Sequence, residues 1–263
     1  VMWHRVAQAL KSDYRLVLPD LRGYGDSSHA PGLPDHSNYS KRAMAQDVVG
    51  LLDQLNVSDF FLCGHDRGGR VAHRLAVDFP TRVRRLCVLD IAPTLDMYQR
   101  TDMDFARAYY HWFHLIQPSP LPERMIGGNV LHYLHAKLGG WGAQGTSFIE
   151  PEAMVEYERS MTLAPEQAGD ILPAVHTACE DYRASAGIDL EHDQDSRNQG
   201  RKIQCDLLVL WGDRGVVHKM FKPLELWQAQ CAAQVSGHVV PSGHFIPEEL
   251  PDLTVQSLRT FMV

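Results

Sequence analysis

Residues 60–69 read Phe60-Phe61-Leu62-Cys63-Gly64-His65-Asp66-Arg67-Gly68-Gly69. The apolar run Phe60 to Cys63 suits a short buried strand. Gly64 and Gly68 bracket Asp66 at the spacing of a nucleophile elbow, G-x-Nu-x-G, a sharp strand-to-helix turn that lifts the middle side chain clear of the backbone. The residue there is commonly Ser; here it is an acid followed by an arginine. Asp at the start of a helix is also an ordinary N-cap. Three features favour the elbow. Glycine occupies both flanking positions, where the turn is expected to leave no room for side chains. No G-x-S-x-G occurs elsewhere in the chain. And His244, in Ser242-Gly243-His244-Phe245, follows the last expected strand, where the chain order nucleophile, acid, histidine puts the base.

Working outward, Tyr14 to Pro19 reads as a strand, followed by a turn-rich loop through Arg22-Gly23-Tyr24-Gly25. Ser40 caps a helix striped by Met44, Val48, Leu51, Leu52 and Leu55. The helix after the elbow stops near Pro80, and Arg84 to Asp90 is the next strand. Continuous apolar runs such as Leu86-Cys87-Val88-Leu89 suit strands covered on both faces, as in a parallel sheet. From Thr94 to about Lys202 the texture changes to aromatics, histidines, Pro and Gly without a clear strand, which predicts a helical insertion. The rhythm resumes with a strand at Asp206 to Trp211, a helix near Leu224 to Ala233, a strand at Gln234 to Val240 and a last helix from Asp252. The expectation is an α/β fold with a mostly parallel sheet and helices on both faces. Residues 1–93 and 203–263 would form its core, and 94–202 the insertion.

With 263 residues, 44% of them hydrophobic, the chain can bury one sizeable core. A net charge of -7 with no basic run gives no nucleic-acid surface, and no long apolar stretch spans a membrane. Five scattered cysteines form neither a disulfide framework nor a zinc pattern, so a reducing cytoplasm is expected. His111 with His114, and His132 with His135, have helical spacing for a metal, but no further ligand cluster joins them. Neither metal nor cofactor is expected.

Arg67 and Arg70 are three apart at a helix N-terminus, where the dipole disfavours cations. Asp66 can pair with one of them; a bound anion would account for both, since guanidinium grips a carboxylate bidentately. Arg74 continues the stripe and is expected to face solvent. An Asp nucleophile needs no base for the first step and can displace a leaving group from saturated carbon. The resulting ester then needs His244 to activate water. Asp66 therefore predicts alkyl transfer, and the arginines predict that the alkyl group carries a carboxylate.

At this point the chain resembles the α/β-hydrolase family and, within it, the fluoroacetate (haloacetate) dehalogenases. The resemblance lies in Gly64-His65-Asp66-Arg67-Gly68-Gly69-Arg70, Leu89-Asp90-Ile91-Ala92-Pro93, Tyr110-His111-Trp112-Phe113, Glu180-Asp181-Tyr182-Arg183-Ala184 and Ser242-Gly243-His244-Phe245. It implies that Asp66 attacks the α-carbon, that Arg67 and Arg70 hold the substrate carboxylate, and that His244 activates water with Asp90 orienting it. It further implies that His111, Trp112 and Tyr182 cradle the halide from an inserted cap, and that the protein is a homodimer. Asp213, in Trp211-Gly212-Asp213-Arg214, also sits at a strand end where many α/β-hydrolases keep their acid, so the choice between Asp90 and Asp213 stays open.

Five strands are expected here where the family usually has eight, and no His-Gly oxyanion loop is present, so the sequence reads as a piece whose remainder precedes Val1. Two rival functions share the pattern. An epoxide hydrolase also uses an Asp elbow, with tyrosines such as Tyr109, Tyr110, Tyr133 or Tyr182 protonating the ring; the arginines argue against a neutral epoxide, as they do against a haloalkane. A non-catalytic module that captures a small carboxylate is disfavoured by the intact Asp66, Asp90 and His244.

Overall fold

The computed structural model describes residues 1–163 and 171–263. The chain enters through helix α1 (His4–Leu10) and, after a long connection, forms α2 (Lys41–Gln54). Ser40 starts α2 as its chemistry suggests: it holds an extended backbone and its hydroxyl accepts the Ala43 N–H at 3.1 Å. Strand β1 (Phe60–His65) leads through the elbow into α3 (Asp66–Asp78), and β2 (Val83–Leu89) follows.

Among the described residues, eight helices lie between β2 and the next strand: α4 (Thr94–Gln99), α5 (Met103–Ala108), α6 (Tyr110–His114), α7 (Leu121–Gly127), α8 (Val130–Leu138), α9 (Pro151–Thr162), α10 (Pro173–Ala186) and α11 (Ile188–Asn198). Then come β3 (Asp206–Gly212), α12 (Val216–Met220), α13 (Pro223–Gln230), β4 (Val235–Val240), α14 (Ile246–Glu249) and α15 (Pro251–Phe261). Every regular element described in the insertion is a helix.

The sheet runs β1-β2-β3-β4, and every neighbouring pair is parallel. Its side chains alternate between two layers, as the period of a strand demands. Leu86 and Val88 of β2, with Leu207 and Val209 of β3, face a core that includes Met44 of α2, Leu75 of α3 and Trp227 of α13. Cys87 and Leu89, with Leu208 and Leu210, face a second core with Val6 and Leu10 of α1 and Val255 and Leu258 of α15. Helices therefore cover both faces, which explains the unbroken apolar run of β2.

One expected strand is absent. Tyr14 to Pro19 makes no ladder, so the described residues hold four strands and not five. An apolar run becomes a strand only where a neighbour offers its backbone groups, and none of the described residues pairs with this one. The segment instead lines a cleft of about 640 Å³ against β1. There Tyr14 packs edge-on against Phe61 and donates its hydroxyl to the Met262 carbonyl at 3.0 Å.

The parallel order brings four strand ends to one edge of the sheet: Asp66 after β1, Asp90 after β2, Asp213 after β3 and His244 after β4. That carboxyl edge is where open α/β sheets bind their ligands.

Candidate active site

The elbow forms. Asp66 has φ 43° and Asp90 φ 48°, a left-handed backbone that a non-glycine residue enters at a cost. Tight packing behind the turn selects Gly64 and Gly69. A Cβ on Gly64 would lie 2.5 Å from the Gly68 carbonyl oxygen, and one on Gly69 2.8 Å from Ile91. The space beside Gly68 is open, so steric need there, expected from the motif, is not what the backbone imposes.

His244 stands between two carboxylates. Its Nδ1 meets Asp90 Oδ2 at 2.6 Å, and its Nε2 is 3.9 Å from Asp66 Oδ2, within reach of its charge but beyond a hydrogen bond. Burial opposes a charged imidazole, but the flanking Asp66 and Asp90 raise its pKa to about 10. Burial likewise opposes the Asp66 charge; His244, with Arg70 and Arg67, outweighs it and holds that carboxyl well below the usual range. Asp213 lies apart, its side chain 45% exposed and its carboxylate 3.7 Å from Arg214. Of the two acids at strand ends, Asp90 is the one against the histidine. His65, pressed down to about 3 by burial and by His244 beside it, is neutral and donates Nε2–H to the His244 carbonyl at 2.7 Å.

The arginines are buried, but neither pairs with Asp66. Arg67 turns toward α10. Its Nε and Nη2 donate to Asp181 Oδ2 and Oδ1 at 2.7 and 2.8 Å, and Nη2 reaches Ser185 Oγ at 2.5 Å. Its guanidinium lies 4.1 Å from the centre of the Tyr182 ring. Arg70 Nη1 donates to Thr94 Oγ1 at 2.9 Å, and its guanidinium lies 4.8 Å from the Trp112 ring. Each arginine keeps one buried nitrogen without a partner among the described residues, Nη1 on Arg67 and Nε on Arg70. For the anion that the sequence expects both arginines to hold, one nitrogen on each is left without a partner among the described residues. Arg74 corrects a further expectation. Covered by α11, it is buried and donates to Asp78 at 2.9 Å and to the His192 carbonyl at 3.2 Å.

Asp66, Arg70, Tyr109, His111, Trp112, Trp141 and His244 surround a cavity of about 10 Å³, space for one water. His111 and Trp112 thus reach the same cavity as Asp66, while Tyr182 stands behind them, 5.5 Å from the His111 ring. Burial, then Lys137, keeps His111 neutral, and its Nδ1 is buried without a partner among the described residues. No group of side chains suited to a metal occurs among the described residues. No helix among them is long and apolar enough to cross a membrane.

Sequence reasoning missed Asp181 and Trp141, and it named Tyr109 only for the rival epoxide reading, whereas Tyr109 lines the cavity beside Asp66. Asp181 sits inside a quoted stretch, and a buried arginine's need for a carboxylate was the available clue. Asp181 also accepts from Tyr24 at 2.5 Å and pairs with Lys41. Trp141 carried no clue; its ring stands edge-on to His244, 5.3 Å away.

Residues 1–251 match the family model described as the alpha/beta hydrolase fold. A fluoroacetate dehalogenase of Burkholderia sp is 43% identical over 261 residues, 99% of this chain and 82% of that protein. A soluble epoxide hydrolase of Corynebacterium sp. (strain C12) is 27% identical over 98% of this chain and 84% of its own. The crystal structure of an α/β hydrolase from Nostoc sp PCC 7120 superposes with a TM-score of 0.92 at 48% identity, over 100% of this chain and 86% of that one. By sequence and by fold, the chain belongs to the α/β hydrolase family.

Proposed function

We propose that the protein hydrolyses haloacetates, fluoroacetate or chloroacetate, to glycolate and halide. The observation that carries this reading is the pair of buried arginines, Arg67 and Arg70, whose charges act on an ionised Asp66 and which keep Nη1 and Nε unpartnered among the described residues. A buried donor left empty costs about 1–3 kcal/mol, more when charged, and a bound carboxylate is the chemistry that would relieve it. An Asp66 oxygen attacks the α-carbon, the carbon–halogen bond breaks, and the halide leaves toward His111, Trp112 and Tyr182. These three come from the inserted helices, which act as a cap. Alkylation turns Asp66 into a neutral ester. That removes one of the two carboxylates raising His244 and lowers its proton affinity when a base is needed. His244, oriented by Asp90, then activates water. The likeness to the Burkholderia dehalogenase supports the same reading.

Epoxide hydrolysis is the second reading. Tyr109 on the cavity wall and the likeness to the Corynebacterium enzyme favour it. Two guanidinium groups weigh against it, since a neutral epoxide gives them nothing to bind. The test is halide release from fluoroacetate and chloroacetate, with haloacetamide and a terminal epoxide as controls. Turnover of the acids alone is expected, and Arg67→Met or Arg70→Met should lower it about 10- to 100-fold, the worth of a charged hydrogen bond. Equal turnover of the amide, or turnover of the epoxide only, overturns the proposal.

A further inference from the structure

Asp90 sets the direction of the His244 ring, but the ring hangs from a loop, and something else must hold that loop. Glu249 does so at the end of α14. Its Oε2 accepts the Gly243 N–H at 2.8 Å and its Oε1 accepts the Phe245 N–H at 3.0 Å. One carboxylate therefore grips the backbone on both sides of the histidine. Charge-assisted bonds of this kind are about twice as strong as neutral ones.

Arg214 fixes Glu249 in turn. Its Nη2 donates to Glu249 Oε2 at 3.0 Å, its Nη1 to the Pro241 carbonyl at 3.1 Å, and its Nε to the Gly142 carbonyl at 3.2 Å. The last bond ties the base loop to the inserted helices beside Trp141. The fit is close, because a Cβ on Gly243 would lie 2.5 Å from the Ala143 nitrogen and one on Gly142 2.5 Å from the Arg214 carbonyl oxygen.

We infer that Glu249, held by Arg214, is a positioning residue for His244, and that it governs the second chemical step more than the first. The inference rests on the dehalogenase reading. In the first step the Asp66 oxygen bonds to carbon and the halide departs, with no task for a base. In the second step Nε2 takes a proton from water as the water oxygen bonds to the Asp66 carbonyl carbon. The ester C–O bond then breaks, the departing glycolate oxygen takes the second water proton to leave as the alcohol, and Asp66 returns as carboxylate beside a protonated His244. The first step draws only on the charge of His244 near Asp66, whereas this one needs Nε2 aimed at the water, and a 1 Å misplacement can cost about 10²-fold.

The test compares wild type with Glu249→Gln and Arg214→Met by rapid-quench halide release and intact-protein mass spectrometry. Glutamine keeps one acceptor and sets an NH₂ against the other amide, and Arg214→Met leaves the carboxylate in place but loose. Both variants should release a first equivalent of halide at a rate within about threefold of wild type. Steady-state turnover should then fall about 10- to 100-fold, with carboxymethylated Asp66 accumulating. If wild type turns over and the variants lose both steps equally, or neither, the positioning role is wrong and the dehalogenase reading stands. If wild type releases no halide, both fall.

Discussion

Asp181 holds Arg67 through both carboxylate oxygens, Nε to Oδ2 at 2.7 Å and Nη2 to Oδ1 at 2.8 Å, across 114 residues of chain. With Tyr24 and Lys41 on the same carboxylate, this is a buried junction of α10 with α2, α3 and the loop at Tyr24. Burial alone would raise the Asp181 pKa, but Arg67 and Lys41 lower it well below the ordinary value. A depressed carboxyl contributes stability above its unfolded pKa of about 3.9, and that contribution fades as pH falls below it. Asp181→Asn should therefore cost about 3–5 kcal/mol at pH 7, the cost of breaking a buried pair. The gap to wild type should narrow below pH 4. Urea unfolding at pH 7 and pH 3 measures this; an equal gap at both would show that the charge is not what matters.

A second expectation concerns the covalent step. His244→Asn removes the proposed base and leaves the Asp66 carboxylate in place, so haloacetate should alkylate Asp66 once and stop. Intact mass should show one added carboxymethyl group, and peptide mapping should place it on Asp66. An unmodified chain from a protein whose wild type turns over would exclude the ester.

The two acids at strand ends should separate cleanly. Asp90→Asn takes away the 2.6 Å partner of His244 Nδ1 and should lower turnover by up to about 10⁴-fold, as loss of the orienting acid does in a Ser-His-Asp triad. Asp213→Asn changes a half-exposed side chain and should stay near wild type, since such substitutions usually move stability by no more than about 0.5 kcal/mol. The reverse ranking would return the role to Asp213.

Fluoride leaves poorly and needs donors where its charge develops; chloride needs them less. Trp112→Phe and Tyr182→Phe should thus harm fluoroacetate turnover more than chloroacetate turnover, with circular dichroism unchanged. Because Tyr182 stands behind the cavity wall, Trp112→Phe should have the larger effect. Parallel losses on both substrates would mean that these side chains only shape the pocket.

What the sequence carried was chemistry packed into short spans. Asp66, Arg67 and Arg70 lie within five residues, and the strands after the elbow announce themselves by apolar runs. His244 was legible from its place after β4. Readings failed where a neighbour decides. Tyr14 to Pro19 has the pattern of a strand but pairs with none of the described residues. Arg74 looks solvent-facing on α3 until α11 covers it, and Arg67 reads as a free clamp until Asp181 takes three of its bonds. Periodicity describes one element, whereas these contacts join residues 100 or more apart.

The left-handed backbone at Asp66 and Asp90 bears on how such a protein can change over time. Each costs on the order of 1–3 kcal/mol that the rest of the molecule must supply. Glycine would relieve either strain and abolish the proposed chemistry. Selection for heat resistance alone would therefore erode the very residues that selection for turnover preserves. Thermostable descendants should gain their stability in the two cores flanking the sheet and leave the strand ends untouched.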